Sequence, residues 1–133
     1  MAKQFGLGKH DRLKSRKQID DLFAAGKSFN AFPLRIMYKI VPAANDRILQ
    51  AGVTASKRYF KKAVERNRIK RLLREAYRLQ KNELNQLLQS KQKSAFVFII
   101  YTDKTICSFV EIEKTMTICM QKLIKAVHNE NNT

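Results

Sequence analysis

Tryptophan is absent from this 133-residue chain, and glycine, proline and cysteine number only four, two and two. Each scarcity excludes something. The cysteines, Cys107 and Cys119, have no CxxC spacing. We therefore expect no disulfide framework, and a reducing, cytoplasmic setting. No glycine-rich stretch could cradle a phosphate. The longest apolar run is Phe96–Tyr101, far short of the roughly 20 residues of a membrane span. Residues 1–18 hold no apolar stretch, so no secretory leader and no membrane partner are expected. The two histidines, His10 and His128, lie near opposite ends and belong to no metal-spaced cluster. Asp20-Asp21 is the only adjacent acidic pair, and neighbours on a helix diverge by about 100°. A self-sufficient nuclease needs a carboxylate cluster or a histidine pair. We expect no catalytic residue and no bound metal or cofactor in the protein alone. There is no internal repeat and no low-complexity linker.

Acids are scarce as well. Eleven Asp and Glu face 27 Lys and Arg, a net charge of +16. Self-repulsion of that size opposes compaction unless a polyanion is the partner: RNA, DNA or an anionic membrane surface. The chain is otherwise equipped to fold, with 44% hydrophobic residues including eight Phe and four Tyr. A domain of this length buries roughly two thirds of its unfolded surface without a metal or disulfide staple.

The patterning predicts an α+β protein. A first helix over Arg16–Ala25 has Ile19, Leu22 and Phe23 at i, i+3 and i+4, a capping box from Ser15 and Gln18, and Gly26 as a left-handed stop. A short strand near Ser28–Phe32 ends at Pro33. A second runs from Leu34 to Val41, with Leu34, Ile36, Tyr38 and Ile40 on one face and Arg35 and Lys39 on the other. Asn45-Asp46 marks a turn, and Ile48–Ala55 alternates again. A long helix covers about Lys62 to Leu88. Phe96–Ile100 reads as a strand buried on both faces. A last helix, Ser108–His128, buries Ile112, Met116, Cys119, Met120, Leu123 and Val127. The order αβββαβα gives a two-layer α/β sandwich. Residues 1–10 lack periodicity and are expected to be flexible. Residues 129–133 read as a disordered tail, leaving one domain over 11–128.

Charge concentrates on the long helix. Ser56–Arg78 carries ten Lys and Arg against two Glu. On a helical wheel Ile69, Leu72, Leu73, Ala76 and Tyr77 gather on one arc. Arg66, Asn67, Lys70, Arg71, Arg74 and Arg78 fill the adjacent one, with Arg68 on its flank. An ordinary solvated face interleaves acids at i, i+4 to relieve repulsion. Here Arg66, Lys70 and Arg74 stack with no acid between them. A phosphate partner accounts for that row better, and the arginine fork suits bidentate phosphate contacts. Asn67 adds no charge; its amide can reach a sugar, a base edge or a neighbouring side chain.

Arg66-Asn67-Arg68, followed by Ile69-Lys70-Arg71-Leu72-Leu73-Arg74-Glu75-Ala76-Tyr77, is similar to the RNR signature of the bacterial ribonuclease P protein subunit. The resemblance extends to Ser56-Lys57-Arg58, to Arg12-Leu13-Lys14, and to Phe23 with Gly26-Lys27-Ser28, covering about residues 10–128. It implies an αβββαβα sandwich with a left-handed βαβ crossover, against the usual right-handed rule. It also implies a partner RNA that performs the chemistry with RNA-bound magnesium, and precursor tRNA as the substrate whose 5′ leader is removed. By position, Arg66, Asn67, Arg68, Lys70, Arg71 and Arg74 would bind that catalytic RNA or organise the contact. Phe23, Tyr38, Lys57, Arg58 and Lys62 would line a groove for the single-stranded leader.

The chain departs from the family pattern twice. Ile19 stands where the family often has an aromatic. Tyr59-Phe60-Lys61-Lys62 replaces a glycine-containing turn and is one residue longer; its two aromatics either add stacking surface or bury against the helix. Tyr38 shares its alternation face with core residues, and Phe23 shares a helix stripe with two others, so each also reads as core. Three other functions compete with a processing subunit: a ribosomal-type RNA binder, a stand-alone nuclease and a DNA-binding regulator. The last would place its basic helix after a short helix and a tight turn. Here that helix follows a strand, so no DNA partner is expected.

Overall fold

A computed structural model describes residues 16–42 and 48–130. Seven elements follow in the predicted order: α1 (Arg16–Ala25), β1 (Lys27–Ala31), β2 (Leu34–Pro42), β3 (Leu49–Ala55), α2 (Ala63–Ser90), β4 (Lys93–Tyr101) and α3 (Phe109–Glu130). The strands form one sheet in the order β1-β2-β4-β3. β1 pairs antiparallel with β2, and β2 antiparallel with β4. β3 and β4 are adjacent and parallel, so α2 is the crossover of a βαβ unit. The expected capping box, the Asn45-Asp46 turn, the segment before Arg16 and residues 131–133 lie outside the described residues. α3 continues two residues past His128, to Glu130.

One face of the sheet carries the main core. Leu34 and Ile36 of β2, Leu49, Ala51 and Ala55 of β3, and Ala95, Val97, Ile99 and Tyr101 of β4 are buried there with α2 and α3. α2 contributes Ile69, Leu73, Ala76, Tyr77, Leu84 and Leu88. α3 contributes Ile112, Met116, Cys119, Met120, Leu123 and Val127, the six positions its 3.6-residue period selects. Each such large aliphatic side chain contributes about 1.5–3 kcal/mol on burial. Ser108 caps α3, its hydroxyl accepting from the Glu111 amide at 3.3 Å.

The sheet and this helix layer make the two-layer sandwich. The other face is covered in part by α1, which packs Leu22 against Met37 and Phe98. That cover explains why β4 is apolar on both sides, as its unbroken run predicted.

Gly26 ends α1 for a different reason from the one expected. It does not adopt a positive φ. A Cβ there would lie 2.5 Å from the Leu22 carbonyl oxygen, 2.8 Å from Leu22 Cδ1 and 3.0 Å from the Tyr38 carbonyl oxygen. The residue is small because helix and strand close onto it. Among the described residues, the positive-φ position is Gln92, after α2.

Candidate nucleic-acid interface

The basic stripe lies on α2, which β3 delivers through the loop 56–62. Asn67, Arg68, Arg71 and Arg74 are exposed, and Lys70 is half-buried. Two members of the row serve the fold. Arg66 Nη1 donates to the carbonyl oxygens of Phe60 at 2.8 Å and Lys61 at 2.9 Å, bracing the turn that enters the helix. Lys62, the N-cap, makes no side-chain cap, so Arg66 fixes this entry instead. Arg78 donates to both carboxylate oxygens of Glu75, and that contact holds the Glu75 carboxyl below its ordinary range. The one acid adjoining the stripe is thereby neutralised; Glu65 falls on the arc near the core residues.

The second surface is the sheet face under α1. Residues of β2 alternate, so Arg35, Met37 and Lys39 share this side. Met37 pairs with Phe98, Arg35 with Ile100 and Lys39 with Phe96. On the far side of β4, Gly52 and Thr54 of β3 stand opposite Phe98 and Ile100. Phe96, Phe98 and Ile100 form an apolar floor with Met37, and Ile19 and Leu22 of α1 form a wall above it. Phe23 is half exposed, at 50%. Its ring meets Phe98 edge-on, with centroids 5.6 Å apart and planes at 73°. Phe23 is therefore not a core residue; it offers a ring face at the edge of an apolar groove flanked by the exposed Arg35.

The predicted groove residues do not all meet. Lys57, Arg58 and Lys62 are exposed in the β3–α2 loop, at the sheet end where the groove floor stops. Tyr38 is on the opposite face from Phe23. The alternation that unites it with Leu34, Ile36 and Ile40 turns its ring toward the main core, 5.9 Å from Phe29. Its placement beside Phe23 is corrected on that ground. Sequence reasoning did not assign Arg35, Lys39, Phe96 and Phe98 to the groove. The signal was present, since the first two were already separated from Tyr38 by period-2 patterning.

The loop aromatics divide. Phe60 is buried at 4% exposure against Tyr101, with centroids 6.1 Å apart. Tyr59 is exposed at 39%. The Arg58 guanidinium carbon lies 6.0 Å, and the Lys104 ammonium nitrogen 5.9 Å, from its ring centroid.

The remaining reactive groups are occupied structurally. The Tyr101 hydroxyl donates to the Thr105 carbonyl and accepts from the Cys107 amide at 2.9 Å. Burial raises the thiol of Cys107 and pushes that of Cys119 up to about 11, so both stay protonated at neutral pH. Among the described residues, no three His, Cys, Asp or Glu side chains group to hold a metal. No described helix is long and apolar enough to cross a membrane.

Known proteins share this architecture and sequence. A ribonuclease P protein component of Porphyromonas gingivalis is 38% identical over 112 residues, spanning 84% of this chain and 82% of the relative. The ribonuclease P proteins of Thermotoga maritima and Staphylococcus aureus superpose with TM-scores of 0.65 and 0.64 at 20% and 18% identity. Each covers 84% of this chain, and the match takes in 96% and 93% of those proteins respectively. The family model for ribonuclease P matches residues 7–124, and the chain belongs to that family of ribonuclease P proteins.

Proposed function

We propose that this chain is the protein subunit of ribonuclease P, binding a catalytic RNA and the 5′ leader of precursor tRNA. It promotes endonucleolytic removal of the leader, which leaves mature tRNA 5′ ends. The observation that carries the reading is the cation stripe on α2, with Arg68, Arg71 and Arg74 exposed and its one adjoining acid already paired with Arg78. Such a face gains most from phosphates, because releasing their condensed counterions drives association. Arg68, Lys70, Arg71 and Arg74 contact the catalytic RNA. Arg66 presents them by fixing the entry of α2, and Asn67 supplies a hydrogen-bonding amide within the row. The leader lies along the α1 groove. Phe23 stacks on a base, while Lys57, Arg58 and Lys62 track its backbone.

The chemistry belongs to the RNA in this reading. Magnesium, held by the RNA and not by this chain, would supply the activated water for phosphodiester hydrolysis. The described residues offer no carboxylate cluster to hold such an ion. The protein's part is to position the substrate, which lowers the barrier by prepaying orientation. The complex works in the cytoplasm, with no membrane or DNA partner.

The test combines purified protein, its cognate ribonuclease P RNA and a precursor tRNA at low magnesium. The mixture is expected to release the leader, the protein alone to release none, and the RNA alone little. Cleavage by the protein alone would overturn the reading. If the mixture neither cleaves nor exceeds the RNA alone, a ribosomal-type RNA binder becomes the better account.

A further inference from the structure

One end of the sheet carries two exposed aromatics that the groove and the stripe leave unused. There the β1–β2 turn, the β4–α3 loop and the β3–α2 loop lie side by side. Pro33 accepts hydrogen bonds from the Thr102 amide at 2.8 Å and the Thr102 hydroxyl at 2.9 Å. Leu34 and Ala55 flank Tyr101 as its register partners. The turn beside Pro33 carries Phe32, which is 71% exposed and the most exposed large aromatic among the described residues. The β3–α2 loop carries Tyr59, 39% exposed, with Arg58 and Lys104 at its ring. The ends of β2 and β3, from which the two segments lead, are about 10 Å apart, two strand spacings across the sheet.

Isolated exposed hydrophobic side chains are common on any protein. Two aromatics on one sheet end, one of them in a loop that also carries Lys57, Arg58, Lys61 and Lys62 and has Lys104 at its ring, form a distinct composition. One acid, Asp103, lies on this rim; it stays ionised and is outnumbered by the cations, and its carboxylate is turned into its own loop. Its Oδ1 accepts from the Thr105 amide at 3.2 Å, and its Oδ2 lies 3.4 Å from Cys107 Sγ. Those contacts hold its carboxyl below the ordinary range. Rings for stacking and cations for phosphates are the two components of a sequence-tolerant single-strand surface. The rim also continues the groove, because the row Arg35–Ile100–Thr54 on the groove floor is one residue from the row Leu34–Tyr101–Ala55 that ends the sheet.

We propose that Phe32 and Tyr59 form an aromatic rim on which unpaired nucleotides of the precursor leader stack, extending its track past the groove onto the end of the sheet. The inference rests on the leader reading of the groove. Tyr59 serves as a platform held level by Arg58 and Lys104. Phe32 supplies a second face, displayed by a turn that Thr102 anchors. Neither residue touches the reacting phosphate; both position the strand.

The test uses the complex of protein and ribonuclease P RNA, and compares its affinity for precursor tRNA with that for mature tRNA, which has no leader. Phe32→Ala and Tyr59→Ala are each expected to weaken precursor binding about ten-fold. Mature tRNA binding should be unaffected, and Tyr59→Phe, which keeps the ring, should stay close to wild type. Both side chains are exposed, so urea unfolding should report unchanged stability. A second readout exploits the missing tryptophan. In a Tyr59→Trp protein the single indole should be quenched when precursor joins the complex, and not when mature tRNA does. Equal losses for precursor and mature tRNA would overturn the proposal, as would quenching that is complete when the two subunits assemble. So would Phe32→Ala and Tyr59→Ala proteins that bind precursor like wild type. Phe23→Ala separates the groove from the rim. If it weakens precursor binding while the rim variants do not, the groove stands and the rim falls. If wild type itself does not distinguish precursor from mature tRNA, both fall.

Discussion

Arg66 and Arg71 occupy the same stripe, yet the structure gives them different work, and replacing each by alanine separates the two kinds. Arg66 donates two charge-assisted hydrogen bonds, to the carbonyls of Phe60 and Lys61. Bonds from charged groups contribute about 1.5–3 kcal/mol each when sheltered. One of these is part-buried and the other exposed, so the pair is discounted to about 2 kcal/mol. With a urea m-value of about 2 kcal/mol/M for a domain of this size, Arg66→Ala should lower the unfolding midpoint by about 1 M. Arg71 is exposed. Arg71→Ala should leave the midpoint unchanged and reduce the salt dependence of RNA binding instead. Removing one cation from a phosphate lowers the slope of log affinity against log salt by about 0.7–0.9. The assays are urea unfolding and binding of ribonuclease P RNA over a salt series. The assignment fails if Arg66→Ala keeps the wild-type midpoint and shows the same reduction in slope as Arg71→Ala. Arg66 would then be a phosphate ligand and not a brace.

Three further outcomes follow from the geometry. Gly26→Ala should destabilise the fold by about 1–3 kcal/mol, because its methyl would meet the Leu22 carbonyl oxygen at 2.5 Å; an unchanged thermal midpoint would contradict that close approach. Cys119 is fully buried, and burial moves its thiol from 9.0 to about 11. Its contribution to stability is therefore intact below pH 9 and is lost as pH rises toward 11, the loss reaching about 1 kcal/mol by pH 10. The urea midpoint of wild type should fall more steeply over that window than that of Cys119→Ala. Phe23→Ala should weaken precursor binding by about 1–3 kcal/mol while shifting the unfolding midpoint little, given its 50% exposure. Reduced stability with unchanged affinity would make Phe23 a packing residue after all.

The parts of the fold that were legible in sequence are those where a period meets a continuous partner surface. α3 shows this best: its six apolar positions all reach the core, because a stripe repeating every 3.6 residues has one way to face a sheet. β4 was legible in part: its unbroken run is apolar on both faces, but on the α1 side Phe96 and Ile100 stay only half-buried, because that helix covers the face in part. The misplacements share a different origin. Period-2 alternation states which residues of β2 lie together, but not which helix covers them. Only the long-range packing of α1 over Met37 and Phe98 made the Arg35–Lys39 side the groove and the Tyr38 side the core. Gly26 was read from local φ habits, whereas its smallness answers to the close approach of Leu22, four residues back, and of the Tyr38 carbonyl in β2, twelve residues further on.

The loop 56–62 shows where sequence patterning stops. Tyr59 and Phe60 are adjacent and chemically alike, and a loop has no period by which to separate them. Three interactions decide the matter. The Phe60 amide bonds back to the Ser56 carbonyl at 3.0 Å, the Phe60 ring fills the space beside Tyr101, and the Arg66 guanidinium holds the Phe60 and Lys61 carbonyls. With Phe60 drawn inward, Tyr59 is left outside among cations. The arginine of the stripe that touches no RNA in this reading thereby sets which aromatic can. Arg66→Ala should consequently loosen the Tyr59 platform as well as the helix entry. In the Tyr59→Trp protein that coupling would appear as weaker quenching by precursor once Arg66 is also replaced, measured without urea, where the fold is intact. Quenching that survives the second substitution unchanged would show that the platform is held by its own cations alone.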